Sequence, residues 1–272
     1  EDAAEQTVSL TGISSGAANE NQTLTVSALS SNTALIPDPV ITYTSPDATA
    51  ALAFTPVSNA VGSADITIRV SDDGDPAQWI EKTFTVTITG LNDAPVVHLP
   101  AAQSTNEDQT LTLSAANAIS ISDVDAGSNE LAVTLTAANG TVDLASVAGL
   151  TFTTGDGSGD ALMSFSGNLS AINTALDGLT FLPDQDFYGS ASMRVYVDDQ
   201  GFTGQGGSQT ADQTLDITVV SQNDAPVNHL PETQTMIEDA ALVFSAANGN
   251  ALSISDVDAA APIEVSLSIT NA

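Results

Sequence analysis

Pairs of carboxylates two residues apart stand in this sequence among small and amide side chains. Asp123 to Asn129 reads DVDAGSN, and DVDA returns from Asp256. In an extended loop, side chains at i and i+2 leave the backbone on the same side. Asp123 and Asp125 can therefore offer oxygens to one point, and Asp256 and Asp258 to another. Other acidic and amide residues sit in short runs between apolar segments: Glu1 and Asp2, Asp72 and Asp73, Asn92 and Asp93, Glu107 and Asp108, Asp199, Asn223 and Asp224. Carboxylate, amide and carbonyl oxygens in groups of six to eight are what calcium takes. The chain has no Cys, so soft thiolate sites for zinc or copper are excluded.

The charge balance agrees with a cation partner. There are 34 acidic residues and three basic ones, Arg69, Lys82 and Arg194, for a formal net charge of -31. Nucleic acid is excluded as a partner, because phosphate binding needs clustered Lys and Arg, and an anionic membrane surface is disfavoured for the same reason. Such acidity serves either general solvation or specific divalent binding; placement of the acids at loops favours the second. No apolar run approaches the ~20 residues of a membrane span. The start, EDAAEQTV, carries no signal peptide and reads as the middle of something longer.

The elements that position these acids are repeated. NDAP occurs at Asn92 and again at Asn223, 131 residues later, and the ED pairs at Glu107 and Glu238 have the same spacing. ISDVDA starts at Ile121 and Ile254, and HLP at His98 and His229. Phe54, Pro56 and Gly62 lead into an apolar-alternating run ending at Asp72 and Gly74. Phe181, Pro183 and Gly189 lead with the same spacing to Asp199 and Gly201. Three units are expected, at 1–91, 92–222 and 223–272, the first without its leading strand and the third only partial; both ends look cut. Alternation at Leu24–Val26–Ala28, Ile66–Ile68–Val70, Phe84–Val86–Ile88, Met193–Val195–Val197 and Leu215–Ile217–Val219 means half-buried strands. Only the stretch 168–179 reads as helix, with Leu169, Ile172 and Leu176 on one face and Gly178 to end it. The expected fold class is all-β: tandem antiparallel sandwiches in a linear array, the second enlarged and the last truncated.

These motifs resemble the repeats of cadherins. DVDAGSN is similar to their DxDxGxN calcium loop, NDAP to their linker, Asn106–Glu107–Asp108 to their early glutamate motif, and VDDQG at Val197 to their later DxG loop. The whole chain is similar to bacterial cadherin-like tandem repeats of giant surface and biofilm adhesins. The resemblance implies calcium at each junction, with one repeat supplying the ED pair and linker and the next supplying DxD and DxG. The first site would use Glu1, Asp2, Asn92, Asp93, Asp123, Asp125, Asn129 and Asp199, with Asp72 in the neighbouring acidic loop. The second would use Glu107, Asp108, Asn223, Asp224, Asp256 and Asp258. Ala94 stands where cadherins often have Asn, and the third unit lacks the Gly and Asn of DVDAGSN. The second site is therefore expected to be the weaker or incomplete one. An extracellular, calcium-stiffened spacer or adhesive rod follows, with neighbouring repeats, other copies and surface glycans or proteins as partners.

Catalysis is not expected. GISSG at Gly12 matches GxSxG, but the nucleophile elbow needs a strand–turn–helix that this β-patterned unit does not offer. The two histidines occupy equivalent positions after the linker and read as structural. Asp156 and Asp160 in GDGSGD read as turn residues before they read as a further calcium loop. A carbohydrate-binding module is the rival class; it wants exposed aromatics, of which the chain has 4%. Its one candidate platform, Trp79, is expected to pack at the start of a strand.

Overall fold

Alternating apolar residues in Thr- and Val-rich runs make the strands, and the two faces of each strand settle the layers. The computed structural model describes residues 1–16, 20–258, 262–268 and 270. The first part of the chain forms β1 (Gln6–Thr11), β2 (Leu24–Ser30), β3 (Val40–Thr42), β4 (Thr49–Phe54), β5 (Gly62–Asp72) and β6 (Trp79–Ile88). They make two three-stranded antiparallel sheets, β1–β4–β3 and β2–β5–β6. Leu35, Ile36, Leu52, Ala64 and Ile66 are buried between them. In β2 the alternation is strict: Leu24, Val26 and Ala28 point inward and Thr25, Ser27 and Leu29 outward.

The middle of the chain is a larger sandwich. Its strands are β7 (Val96–His98), β8 (Gln103–Asn106), β9 (Leu111–Leu113), β10 (Ser120–Ser122), β11 (Glu130–Ala138), β12 (Gly140–Asp143), β13 (Thr151–Thr154) and β14 (Leu162–Asn168). After α1 (Leu169–Leu176) come β15 (Leu179–Pro183), β16 (Gly189–Asp198) and β17 (Thr210–Val220). One sheet runs β13–β14–β11–β16–β17–β8 and the other β12–β15–β9, with β7 and β10 as a separate pair. The order β11–β16–β17 repeats β2–β5–β6, and β9–β15–β12 repeats β1–β4–β3. The enlargement is the β13–β14 hairpin and α1. β8 is the exception to antiparallel pairing and lies parallel to β17.

The helix forms as its sequence predicts. Asn168 caps it, its Oδ1 accepting from Ala171 N at 2.9 Å. Ile172 and Leu176 are fully buried in the second core beside Phe181 and Met193, and Leu169 packs at its margin. In the last part of the chain β18 (Val227–His229) pairs with β19 (Ser253–Ser255) in the register of β7 and β10. Each histidine there bonds a cross-strand serine at 2.9 Å, His98 to Ser122 and His229 to Ser255. The structure is all-β with tandem sandwiches, and the strand ends place most of the acidic loops at the junctions.

Candidate metal centre

The first junction gathers oxygens from four segments. Glu1 and Asp2 precede β1, Asn59 lies in the β4–β5 loop, Asp93 in the linker after β6, and Asp123 and Asp125 in the loop after β10. One carboxylate oxygen each of Glu1, Asp2 and Asp93 lies within 4.8 Å of the others. Backbone bonds fix the carboxylates in place: Leu91 N donates to Glu1 Oε1 at 2.6 Å, Asn59 N to Asp2 Oδ1 at 3.2 Å, and Asp93 N to Asp125 Oδ2 at 3.0 Å. Asp123 Oδ1 accepts from Asp125 N and Ala126 N at 3.1 and 2.9 Å. The other oxygens of this pair, Asp123 Oδ2 and Asp125 Oδ1, are buried and accept nothing. A buried carboxylate oxygen without a donor is costly.

Among the described residues the arginine ion pairs lie elsewhere, and the Glu1 ammonium offsets only part of the charge at Asp93. Arg69 pairs with Glu81 and Arg194 with Asp212, both out on the sheets. The result is visible in the acidities. Burial, then bonding to Asp125 and its charge, pushes the Asp123 carboxyl up to about 6. Burial, followed by the charges of Asp2, Asp125 and Glu1, also raises Asp93.

The second junction repeats this plan. Glu107, Asp224 and Asp258 bring one oxygen each within 4.8 Å of one another, and so do Asp108, Asp186 and Asp224. Glu107 is 3% exposed. Gln222 N donates to Glu107 Oε1, Asp224 N to Asp258 Oδ2, and Asp258 N to Asp256 Oδ1. Asp224 Oδ2 is buried without a partner. Burial, then the charges of Asp258, Asp186, Asp108 and Glu107, raises the Asp224 carboxyl.

Five of the expected residues do other work. Asp72 Oδ1 closes its own loop, accepting from Gly74 N and Gln78 N at 3.0 and 2.8 Å, apart from the cluster. Asp199 Oδ1 likewise accepts from Gly201 N and Gln209 N, and its Oδ2 takes Asn92 Nδ2 at 2.6 Å. Asn92 and Asp199 thus satisfy each other at the edge of the site. Asn223 Nδ2 bonds Asp224 O at 2.9 Å. Asn129 closes the DVDAGSN loop through its backbone, its N–H donating to Ala126 O.

Two residues absent from the expected set belong to the clusters. Asn59 and Asp186 occupy the same place in the two Phe–x–Pro segments, five residues after Phe54 and Phe181. Both have positive φ, 58° and 56°. Each directs its N–H at the ED aspartate, Asn59 to Asp2 and Asp186 to Asp108, both at 3.2 Å. With its amide turned, Asn59 donates to Asp2 Oδ2 and Asp93 Oδ2 at 3.3 and 3.2 Å; in the opposite orientation its oxygen faces the same two carboxylates, as a cation ligand would.

The rival features also have places. GISSG follows β1, and the next element among the described residues is the strand β2. Asp156, Asp160 and Asp143 bond the backbone of their own Gly-rich loop. Trp79 does start a strand, as expected, but is not packed: it is 56% exposed, with the Arg69 guanidinium 4.3 Å from its ring. Among the described residues no helix is long and apolar enough to cross a membrane.

No family model matches the chain, and no curated protein does. Solved structures similar to it include the protocadherin gamma B2 extracellular cadherin domains 3–6, 20% identical over 81% of this chain and 47% of that one, TM-score 0.35. Human CDH23 EC21–23 is 15% identical, over 87% of this chain and 74% of that one, TM-score 0.39. The S-layer protein SbsC domains 4 and 5 are 16% identical, over 72% and 70%, TM-score 0.21. The chain spans about half or less of the first three protocadherin chains it matches.

Proposed function

We propose that this chain is a calcium-stabilised, extracellular rod segment of a large bacterial surface protein, serving as spacer or adhesive stalk in cell adhesion, a surface filament or a biofilm, and not catalysing a reaction. Its repeats are 1–91, 92–222 and 223–272. The observation that carries the reading is the pair of orphaned, buried carboxylate oxygens of Asp123 and Asp125 beside Glu1, Asp2 and Asp93. An oxygen-only, multiply anionic donor set suits a hard divalent cation, and its size and mixed loop origin suit calcium better than octahedral magnesium.

The residues that would hold the ion are Glu1, Asp2, Asp93, Asp123 and Asp125 at the first junction, with Asn59 beside them. At the second they are Glu107, Asp108, Asp186, Asp224, Asp256 and Asp258. The ion would supply the positive charge that the side chains lack. It would tie the end of one sandwich to the linker and to the DxD loop of the next. Calcium at ~100 times its Kd would stabilise the bound geometry by about 2.7 kcal/mol per site. Melting and small-angle scattering in millimolar calcium against excess chelator test this. A higher melting temperature and a longer, stiffer particle with calcium are expected, with the first junction's share of the stabilisation lost in Asp125→Ala; indifference to calcium would overturn it.

One observation favours a second reading, a carbohydrate-binding module: the exposure of Trp79. Arg69 covers one face of that ring, leaving the other for a sugar. Glycan binding abolished by Trp79→Ala would decide for it.

A further inference from the structure

The linker between the two sandwiches makes bonds that the carboxylates do not require. Leu91, Asn92 and Asp93 send successive backbone N–H groups to three different places: Glu1 Oε1 at 2.6 Å, Gln205 O at 2.7 Å and Asp125 Oδ2 at 3.0 Å. The first and third recur at the second junction, from Gln222 to Glu107 and from Asp224 to Asp258. The middle one does not: among the described residues no backbone carbonyl receives Asn223 N.

Gln205 lies in the loop between β16 and β17, which folds back over the linker. It returns a bond, its N–H donating to Gly90 O at 2.9 Å, and Leu91 and Gln205 form an isolated parallel bridge. Gly204 makes this approach possible. It has φ +70°, and a Cβ there would lie 2.5 Å from Asn92 N and from Leu91 C. Asp199 fixes the base of the loop and binds the Asn92 amide, with these two side chains 6% and 5% exposed. On the other side, a Cβ on Gly90 would meet Val61 of the first sandwich at 3.5 Å and the Gly204 Cα at 3.6 Å. Gly90 therefore passes close both to Val61 of the first sandwich and to Gly204 of the clasp loop.

We propose that the loop 200–209 is a cation-independent clasp, which locks the linker to the second sandwich and keeps the first junction in one orientation with no divalent ion bound. It holds the linker by the two backbone bonds of Gln205, the Asn92–Asp199 pair, the Thr203 hydroxyl donating to Asn92 Oδ1 at 3.5 Å, and the close approach of Gly204; none of these uses the carboxylates assigned to calcium, so it holds whether or not calcium binds. The ion then tightens a joint that is already set.

The test runs entirely in excess chelator, which separates its failure from failure of the calcium reading. The chain has no cysteine, so Ser27→Cys and Thr214→Cys place one spin label on each sandwich. Electron–electron distance measurement on this pair should give one narrow distribution. Gly204→Ala pushes the loop off the linker, and Gln205→Pro removes the N–H that reaches Gly90. Each should shift the clasped-to-open ratio at least about fivefold, the size of one net hydrogen bond, and broaden the distribution. Circular dichroism checks that both variants fold. A broad distribution for the parent pair in chelator overturns the clasp whether or not the variants fold; folded variants as narrow as the parent overturn it too.

Discussion

Asp123 shows how a single side chain is held at odds with itself. Its Oδ1 is fixed by two backbone N–H groups while its Oδ2 is buried with no donor, and its carboxyl is pushed up to about 6. A carboxyl raised in the folded state, against about 3.9 when unfolded, contributes stability that is complete below the unfolded value and is lost as pH rises through the folded one. Without divalent ions the melting temperature should therefore climb as pH falls from 7 towards 4. Asp123→Asn should flatten that slope. In calcium the trend should reverse near pH 6, because the ion binds the ionised form; scanning calorimetry at a series of pH values checks both. At the second junction Asp186 adds a carboxylate where the first has Asn59. Asp186→Asn should weaken calcium binding there by about tenfold, since affinity follows ligand charge, as read in a calcium titration. It should also raise the metal-free melting temperature by removing one repelling charge.

At the scale of elements, the strands and the helix were legible because their apolar residues keep one period throughout. β2, β5, β6, β16 and β17 contain the alternations that run through Leu24, Ile66, Phe84, Met193 and Leu215, and α1 lies where Leu169, Ile172 and Leu176 share a face. Leu176→Ala should cost about 2–5 kcal/mol, since it empties a fully buried position. Asn168→Ala should cost about 1 kcal/mol through the lost cap. Urea unfolding measures both. β8 was not legible, because QSTN carries no apolar pattern and its pairing comes only from the parallel edge of β17. Asn59 and Asp186 lay inside a recognised segment, yet their role depends on a left-handed turn that spacing does not announce. For Asp199 and Asn92 the motif spacing brought both to the junction, but their mutual bond arises from a Gly-rich loop folding back. The exposure of Trp79 was missed because a strand start says nothing about whether the neighbouring surface is covered.

Across the whole molecule, a net charge of -31 opposes any arrangement that brings acidic loops together. The fold nonetheless concentrates them at two junctions 131 residues apart in sequence and leaves Arg69 and Arg194 paired on the sheets. General screening and specific binding predict different salt responses. Sodium chloride in chelator should raise the melting temperature a little, in proportion to screening. Millimolar calcium should raise it further at equal ionic strength. The central claim is that a divalent ion sits among the junction carboxylates, and calorimetric titration of calcium into the chelator-stripped chain tests it most directly. Saturable binding with Kd of roughly 0.1–1 mM, with the first-junction component lost in Asp125→Ala while the fold persists, is the predicted result. No saturable heat in the parent chain up to about ten times that range, or binding left unchanged by Asp125→Ala, would contradict the account.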